Sequence, residues 1–349
     1  MKKSSDFFCC ENINNYILPN YDLENSKISL IKFKDTLKQR AVYKIESSNI
    51  SYCLKKVYFD RDTLLFVYSA LEWLFRNNIN VPKLLPTIDN HRFVEFRDMI
   101  FILTPWVDGE KCNFDTFSDL TLSISELAKL HIKTKNFIPI EGSSMKSIFD
   151  NLYISTLKHF EQLLQNSTLA KNSNDKFSDH FKKHFEDNLF LAENSLKVVS
   201  TLDEKELSIS LCHGDYVNKN IIISNSKVWI IDFDKCRYGY SAYDISYFLR
   251  RLLRRTNTKW NLNLTLTLLK SYNSINKLSP SDLKFIFSYI CFPQKFWKLS
   301  KDYYKKIGNK KELEKCFKNS CLLIKHQVKF TKELLNIFSN INWDLSNLH

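Results

Sequence analysis

His213-Gly214-Asp215 is followed by Asn220 five positions after that aspartate, and then by the apolar run Val228-Trp229-Ile230-Ile231, which closes on Asp232. Phosphoryl transfer to a hydroxyl needs such a set: one carboxylate to receive the hydroxyl proton, and an amide and a second carboxylate to hold magnesium. An isolated His-x-Asp occurs by chance in many chains. Here the specificity comes from stacked requirements: Ile221, Ile222 and Ile223 read as a strand, Ser224 to Lys227 as a turn, and the next run as the return strand. Such a hairpin makes its ends neighbours, so Asp215, Asn220 and Asp232 are expected at one edge.

The flanking segments supply elements to position that edge. Residues 28–33, 41–45 and 52–58 alternate as strands of an antiparallel meander. Thr63 to Phe75 has helical spacing, with Asp62 as N-cap and Asn77-Asn78 as a stop, and Arg92 to Phe96 and Met99 to Leu103 form a further strand pair. The proline and glycine of Thr104-Pro105-Trp106-Val107-Asp108-Gly109 mark a connector, dividing the chain into a sheet lobe, 1–104, and a helical lobe, 105–349. The second lobe is expected to hold helices over 119–131, 145–165 and 177–196, a mobile loop over 166–175, the strand-loop-strand of 207–231 carrying the catalytic loop 211–234, and helices after Asp244. Pro280 and Pro293 fix two starts or turns. The fold class is α+β.

The net charge of +13 suits partners carrying phosphate or acidic groups, and equally a solvated lysine-rich surface. Nucleic acid rests on charge alone and is not the expected partner, because the aromatic residues fall at core spacings. Nine cysteines without a CxxC pair or a Cys/His spacing suited to zinc read as reduced thiols. Phe7 to Cys10 is too short for a secretory core, and no run approaches the roughly 18 apolar residues that cross a bilayer, so a protein made in the cytoplasm with no membrane partner is expected.

With its HGDxxxxN loop and IDF strand end, the sequence resembles the kinase-like fold of aminoglycoside phosphotransferases and choline kinases. Within that group it is most similar to the CotS family of spore-coat proteins, through Tyr52-Cys53-Leu54-Lys55, Leu103-Thr104-Pro105-Trp106, Leu127 to His131, Tyr243-Asp244-Ile245 and above all Phe292-Pro293-Gln294-Lys295-Phe296-Trp297. The resemblance implies a small antiparallel-sheet lobe and a larger helical lobe, ATP or GTP as phosphoryl donor, Mg²⁺, and a small-molecule acceptor of unknown identity. It makes Asp215 the catalytic base, Asn220 and Asp232 the metal ligands, and Lys55, Thr104 and Trp106 the nucleotide-binding residues. His213 and Asp244 become structural supports. It also implies location in the spore coat, with other coat proteins as partners.

Several alternatives stay open on sequence alone. Lys56 competes with Lys55, since adjacent strand residues point to opposite faces. Asp234 is either a further ligand or solvent-facing. Val67 stands about where the family's helix glutamate would pair with the strand lysine, and Glu72 is the nearest substitute. No glycine precedes Gly109, so the segment Asp35 to Arg40, with Thr36 or Arg40, must serve in place of a glycine-rich loop. A basic helix from Asp244 to Arg255 sets Ile245, Phe248, Leu249, Leu252 and Leu253 against Arg250, Arg251, Arg254 and Arg255, which reads as a solvated face or as a dock for an anion. Two functions follow: a small-molecule phosphotransferase, or a coat structural protein that keeps the fold with little or no transfer.

Overall fold

The computed structural model describes residues 7–34, 39–144 and 147–348. The chain divides into two compact units: residues up to Cys112 with Lys133–Ser147 and His213–Tyr238, and then Asn113–Ile132, Ile148–Cys212 and Gly239–His349. The sequence reading put residues 211–234 with the helices; the packing groups His213–Tyr238 with the sheet instead.

The first unit opens with α1 (Cys10–Tyr16) and strands β1 (Lys27–Lys34), β2 (Arg40–Ser47) and β3 (Ile50–Lys56), followed by α2 (Arg61–Arg76), β4 (Val94–Phe96) and β5 (Met99–Pro105). The strands make an antiparallel sheet of order β1-β2-β3-β5-β4. Alternation decides its faces: Ala41, Tyr43, Ile45 and Leu54 are buried with Phe8, Ile13, Ile17 and Phe101, and the Tyr43 hydroxyl donates to the Phe8 carbonyl at 2.8 Å. Lys55 and Cys53, offset by one residue from Leu54, take the other face. Helix α2 is capped by Asp60, whose side chain accepts from the Thr63 N–H, and not by Asp62, which lies inside the first turn.

The hairpin forms as expected. Strands β9 (Ile221–Ser224) and β10 (Lys227–Ile230) pair from Ser224↔Lys227 to Ile221↔Ile230, and Asn225 and Ser226 turn the chain at φ of 48° and 61°, as a two-residue hairpin requires. The connector after β5 returns as β6 (Glu110–Lys111) to pair with β9. A side chain at Gly109, where φ is 140°, would come within 2.6 Å of the Ile223 carbonyl oxygen, so glycine is needed for that approach. On the other edge Asn80 receives the Ile230 N–H at its carbonyl and donates its side-chain amide to the Val228 carbonyl.

The second unit is mainly helical. Its helices are α3 (Phe117–Lys133), α4 (Leu152–Lys171), α5 (Lys176–Val199), α6 (Ala242–Leu253), α7 (Leu262–Asn273), α8 (Pro280–Cys291), α9 (Gln294–Tyr304), α10 (Lys310–Cys321) and α11 (Ile324–Asn340), with short strands β7 (Ser147–Ile148), β8 (Ile209–Cys212) and β11 (Arg237–Tyr240). The helix expected over 145–165 starts only at Leu152, where Asn151 caps it by accepting the Ile154 N–H; Met145 lies outside the described residues. The loop expected over 166–175 is helix as far as Lys171, because the Asn166 side chain is buried and donates to Ser300 Oγ at 3.0 Å. Phe177, Phe181, Phe296 and Phe317 interlock α5, α9 and α10 in one apolar cluster. Ser279 and Asp282 cap α8 reciprocally, with Pro280 at its first turn. His131 of α3 is buried against the Tyr272 hydroxyl at 2.7 Å and Asp244 at 3.5 Å, so Asp244 sits in the interior of this unit on α6.

Candidate active site

The polar cluster lies entirely in the first unit, at the hairpin's open end. The Ile231 N–H donates to the Asn220 carbonyl, extending the ladder one step past Ile230 and bringing Asn220 beside the segment that carries Asp232. The Asn220 side-chain nitrogen donates to the Asp215 carbonyl at 2.9 Å, which leaves the amide's carbonyl oxygen as its acceptor. Asp232 is left-handed at φ 68°, a conformation that costs about 1–3 kcal/mol and that strand–helix junctions at functional sites retain.

His213 ties this geometry together. Its Nδ1 accepts the Asp215 N–H at 3.2 Å and its Nε2 faces the Ile231 carbonyl at 2.9 Å, so the buried imidazole is neutral, protonated on Nε2, and bridges the two segments. Gly214, at φ 75°, lies so close to the Lys235 carbonyl oxygen that any Cβ there would collide with it. The glycine of the motif is therefore a consequence of the His213–Asp215 loop lying on the 232–235 segment.

Lys55 reaches the cluster from β3. Its Nζ lies 2.5 Å from Asp232 Oδ1 and 2.6 Å from Asp234 Oδ1. Burial disfavours the ammonium, but the two carboxylates outweigh burial and hold its pKa above the ordinary lysine value. Burial likewise pushes Asp232 up, and Lys55 more than reverses this, to about 2. The register competitor Lys56 donates to the Gln39 carbonyl instead.

Asp234 is not solvent-facing. It is 5% exposed, one oxygen is on Lys55, and the other is buried with no hydrogen-bond partner among the described residues. It supplies the countercharge that Val67 cannot: Val67 is buried on α2, and Glu72 pairs with Arg76 at 3.7 Å. Asp215 Oδ2 faces two ammonium groups, Lys235 at 3.3 Å and Lys219 at 3.5 Å. Burial raises its pKa, and these cations bring it below the usual carboxylate value. Lys32 of β1 is within electrostatic reach of Asp232, Lys219 and Lys55. Sequence reasoning missed Lys32, Lys219 and Lys235, since nothing local reveals that three charged side chains of separate segments surround the aspartates.

Thr104 pairs across β5 with Cys53, on the face that Lys55 shares. Trp106 lies further along, its N–H on the Ser51 carbonyl and its ring 5.4 Å from the Lys44 ammonium. Arg40 stacks 3.7 Å over Tyr58, and Thr36 lies outside the described residues. The unpartnered oxygen of Asp234, the amide oxygen of Asn220 and the ionised Asp232 are each hard oxygen donors of the kind a divalent cation takes.

Residues 28–334 match the family model described as "Spore coat putative kinase YutH". The chain belongs to this spore-coat, kinase-like family. A second likeness agrees: spore coat protein S of Bacillus subtilis (strain 168) is 18% identical over 308 residues, 85% of each chain. Spore-coat location follows from the family. Among solved structures, an aminoglycoside phosphotransferase from Alicyclobacillus acidocaldarius superposes with a TM-score of 0.76 at 17% identity, covering 93% of this chain and 95% of that one. Spectinomycin phosphotransferase APH(9)-Ia, in complex with ADP and spectinomycin, gives 0.62 at 17% identity over 89% and 94%. A microcompartment-associated aminopropanol kinase gives 0.62 at 16% over 92% and 96%. These likenesses give the family member its fold, the α+β kinase-like fold of aminoglycoside phosphotransferases. No helix among the described residues is long and apolar enough to cross a membrane.

Proposed function

We propose that this spore-coat protein binds a magnesium nucleoside triphosphate, ATP or GTP, and transfers its terminal phosphoryl group to a hydroxyl of a small molecule. The observation that carries this reading is the convergence of Lys55 from β3 with Asp232 and Asp234 from the hairpin's return strand, beside Asp215 and Asn220 from its entry. Related folds with ADP, or with AMP-PNP and Ca²⁺, in their complexes support nucleotide use.

In this reading Lys55 pairs with the α and β phosphates, and Thr104 and Trp106 flank the nucleotide at the end of β5. Asn220 and Asp232 would hold Mg²⁺, which would supply charge neutralisation to the phosphates. Asp215 orients the acceptor hydroxyl; as its oxygen bonds to the γ phosphorus and the bond to the β-phosphate oxygen breaks, the proton passes to Asp215 and the diphosphate leaves. Its depressed pKa makes it an orienting group first and a base late in the transfer. Lys219 and Lys235 oppose the charge on the transferring group. His213 holds the two loops in register and moves no proton.

Turnover of γ-labelled ATP with Mg²⁺, to water or to a panel of alcohols, tests the reading: Asp215→Asn is expected to lower the rate about 10²-fold or more with nucleotide affinity kept. Equal turnover by the variant would overturn the role of Asp215. A coat structural protein without transfer is the second reading, favoured by apolar Val67 in place of a helix glutamate; it predicts no turnover by the wild type.

A further inference from the structure

The second unit holds a cavity of about 120 Å³ whose walls carry positive charge and no carboxylate. Arg250 and Arg254 enter it from the end of α6, Lys295 from the start of α9, and Asn188, Gln294 and Gln327 add side-chain amides. The arginines of α6 do not share one role. Arg255 forms a two-point pair with Asp115, at 2.8 and 2.6 Å, while Arg250 stacks 4.0 Å over Tyr289 and donates to its hydroxyl. Arg254 and Lys295 have neither a hydrogen-bond nor an ion-pair partner among the described residues.

Three cations sharing one small space without a countercharge repel each other. Burial, then Arg250 and Arg251, bring the Arg254 pKa down to about 10; burial, then Arg254, depress that of Lys295. An entering anion would relieve that repulsion.

The backbone points the same way. Helix α9 has 11 residues and Pro293 at its N-cap, with no side chain capping it; the Gln294 N–H is taken by the Phe292 carbonyl and the Trp297 N–H by that of Pro293, so the first-turn N–H groups left for an anion are those of Lys295 and Phe296, two residues that line the cavity. The Phe292-Pro293-Gln294-Lys295-Phe296 segment, in which the likeness to the CotS family is strongest, forms one wall. Guanidinium forks, an ammonium and a helix N-terminus together match a tetrahedral oxyanion. The cavity is open to solvent on the side of the exposed Lys295 and is large enough for a small oxyanion.

We infer that Arg250, Arg254, Lys295 and the N-terminus of α9 form a second, phosphate-class binding site, for free phosphate or the phosphoryl group of a small phosphomonoester. The site lies wholly within the helical unit and is independent of the nucleotide reading.

Thermal unfolding of the full chain, in phosphate-free buffer at constant ionic strength, tests this. Inorganic phosphate is titrated in parallel with glycerol 3-phosphate and with KCl. The expected result is a saturable rise in Tm with phosphate and none with KCl, with half-saturation at least about tenfold higher in Arg254→Met and in Lys295→Met. The same rise must persist in Lys55→Ala and in Lys219→Ala, each of which removes a cation of the proposed nucleotide site. A matching rise with glycerol 3-phosphate extends the site to esters, and its absence restricts it to the free ion. A rise with KCl, no rise with phosphate, unchanged half-saturation in Lys295→Met, or loss of the effect in Lys55→Ala or Lys219→Ala would each overturn the assignment. Lys295→Met carries the test if Arg254→Met does not fold.

Discussion

Lys55 Nζ and Asp234 Oδ1 stand 2.6 Å apart across 179 positions of sequence, an ion pair buried beside Asp232. The strand lysine is therefore held by the segment that carries the proposed metal aspartate, and not by α2, where Val67 offers no charge. Lysine position and metal site are coupled through two neighbouring carboxylates.

Asp234→Ala is expected to weaken that coupling. With Asp234 gone, Lys55 pairs with Asp232 alone and competes with the cation for it, so the Mg²⁺ concentration needed for a nucleotide-induced thermal shift should rise about tenfold. An unchanged Mg²⁺ requirement would show that Asp234 neither positions Lys55 nor assists the metal.

The pH dependence of turnover follows from the depressed carboxylates. Asp215 and Asp232 titrate below the usual carboxylate range, Asp232 at about 2, so both remain ionised through pH 5. The rate should be flat on the acid side down to about pH 5. A depressed carboxylate gives stability that is full above its unfolded pKa of about 3.9 and lost as pH falls through the folded value, so the contribution of Asp232 disappears between about pH 4 and 2. An acid limb in the rate near pH 6 would contradict the assignment.

A second pH effect belongs to the helical unit. His159, with its ring 3.7 Å from that of Trp297, has its pKa lowered to about 4, by burial first and then by Lys301 and Lys158. Between about pH 6.5 and 4 the unfolded chain binds a proton that the folded chain refuses, so stability falls as pH falls across that window. His159→Phe should flatten part of this slope in denaturant titrations at pH 7 and pH 5, and an identical slope would count against it.

Gly214→Ala places a methyl group into the Lys235 carbonyl at positive φ, so the loop or the 232–235 segment must move. A loss of about 2 kcal/mol or more and a fall in turnover are expected, measured by urea unfolding and nucleotide hydrolysis. Wild-type behaviour would mean the loop is not clamped there.

The hairpin was legible because three successive isoleucines, a polar turn and a return run ending in aspartate leave little choice of register. Alternation said only that one of Lys55 and Lys56 enters the cleft; the burial of Leu54 in the core decides that it is Lys55. What escaped depends on partners remote in sequence. Asn166 looks like a helix breaker until Ser300 binds its amide, and Asp60 outcompetes Asp62 as cap only through backbone geometry. Asp234 looked indeterminate because its role is set by a lysine in another strand.

Calorimetric titration of ATP into the full chain, with and without Mg²⁺, for the wild type and Asp232→Asn, tests the central claim most directly. The account predicts binding that requires Mg²⁺ and weakens at least about tenfold in the variant. No binding, or binding of equal strength without the metal and in Asp232→Asn, would contradict it.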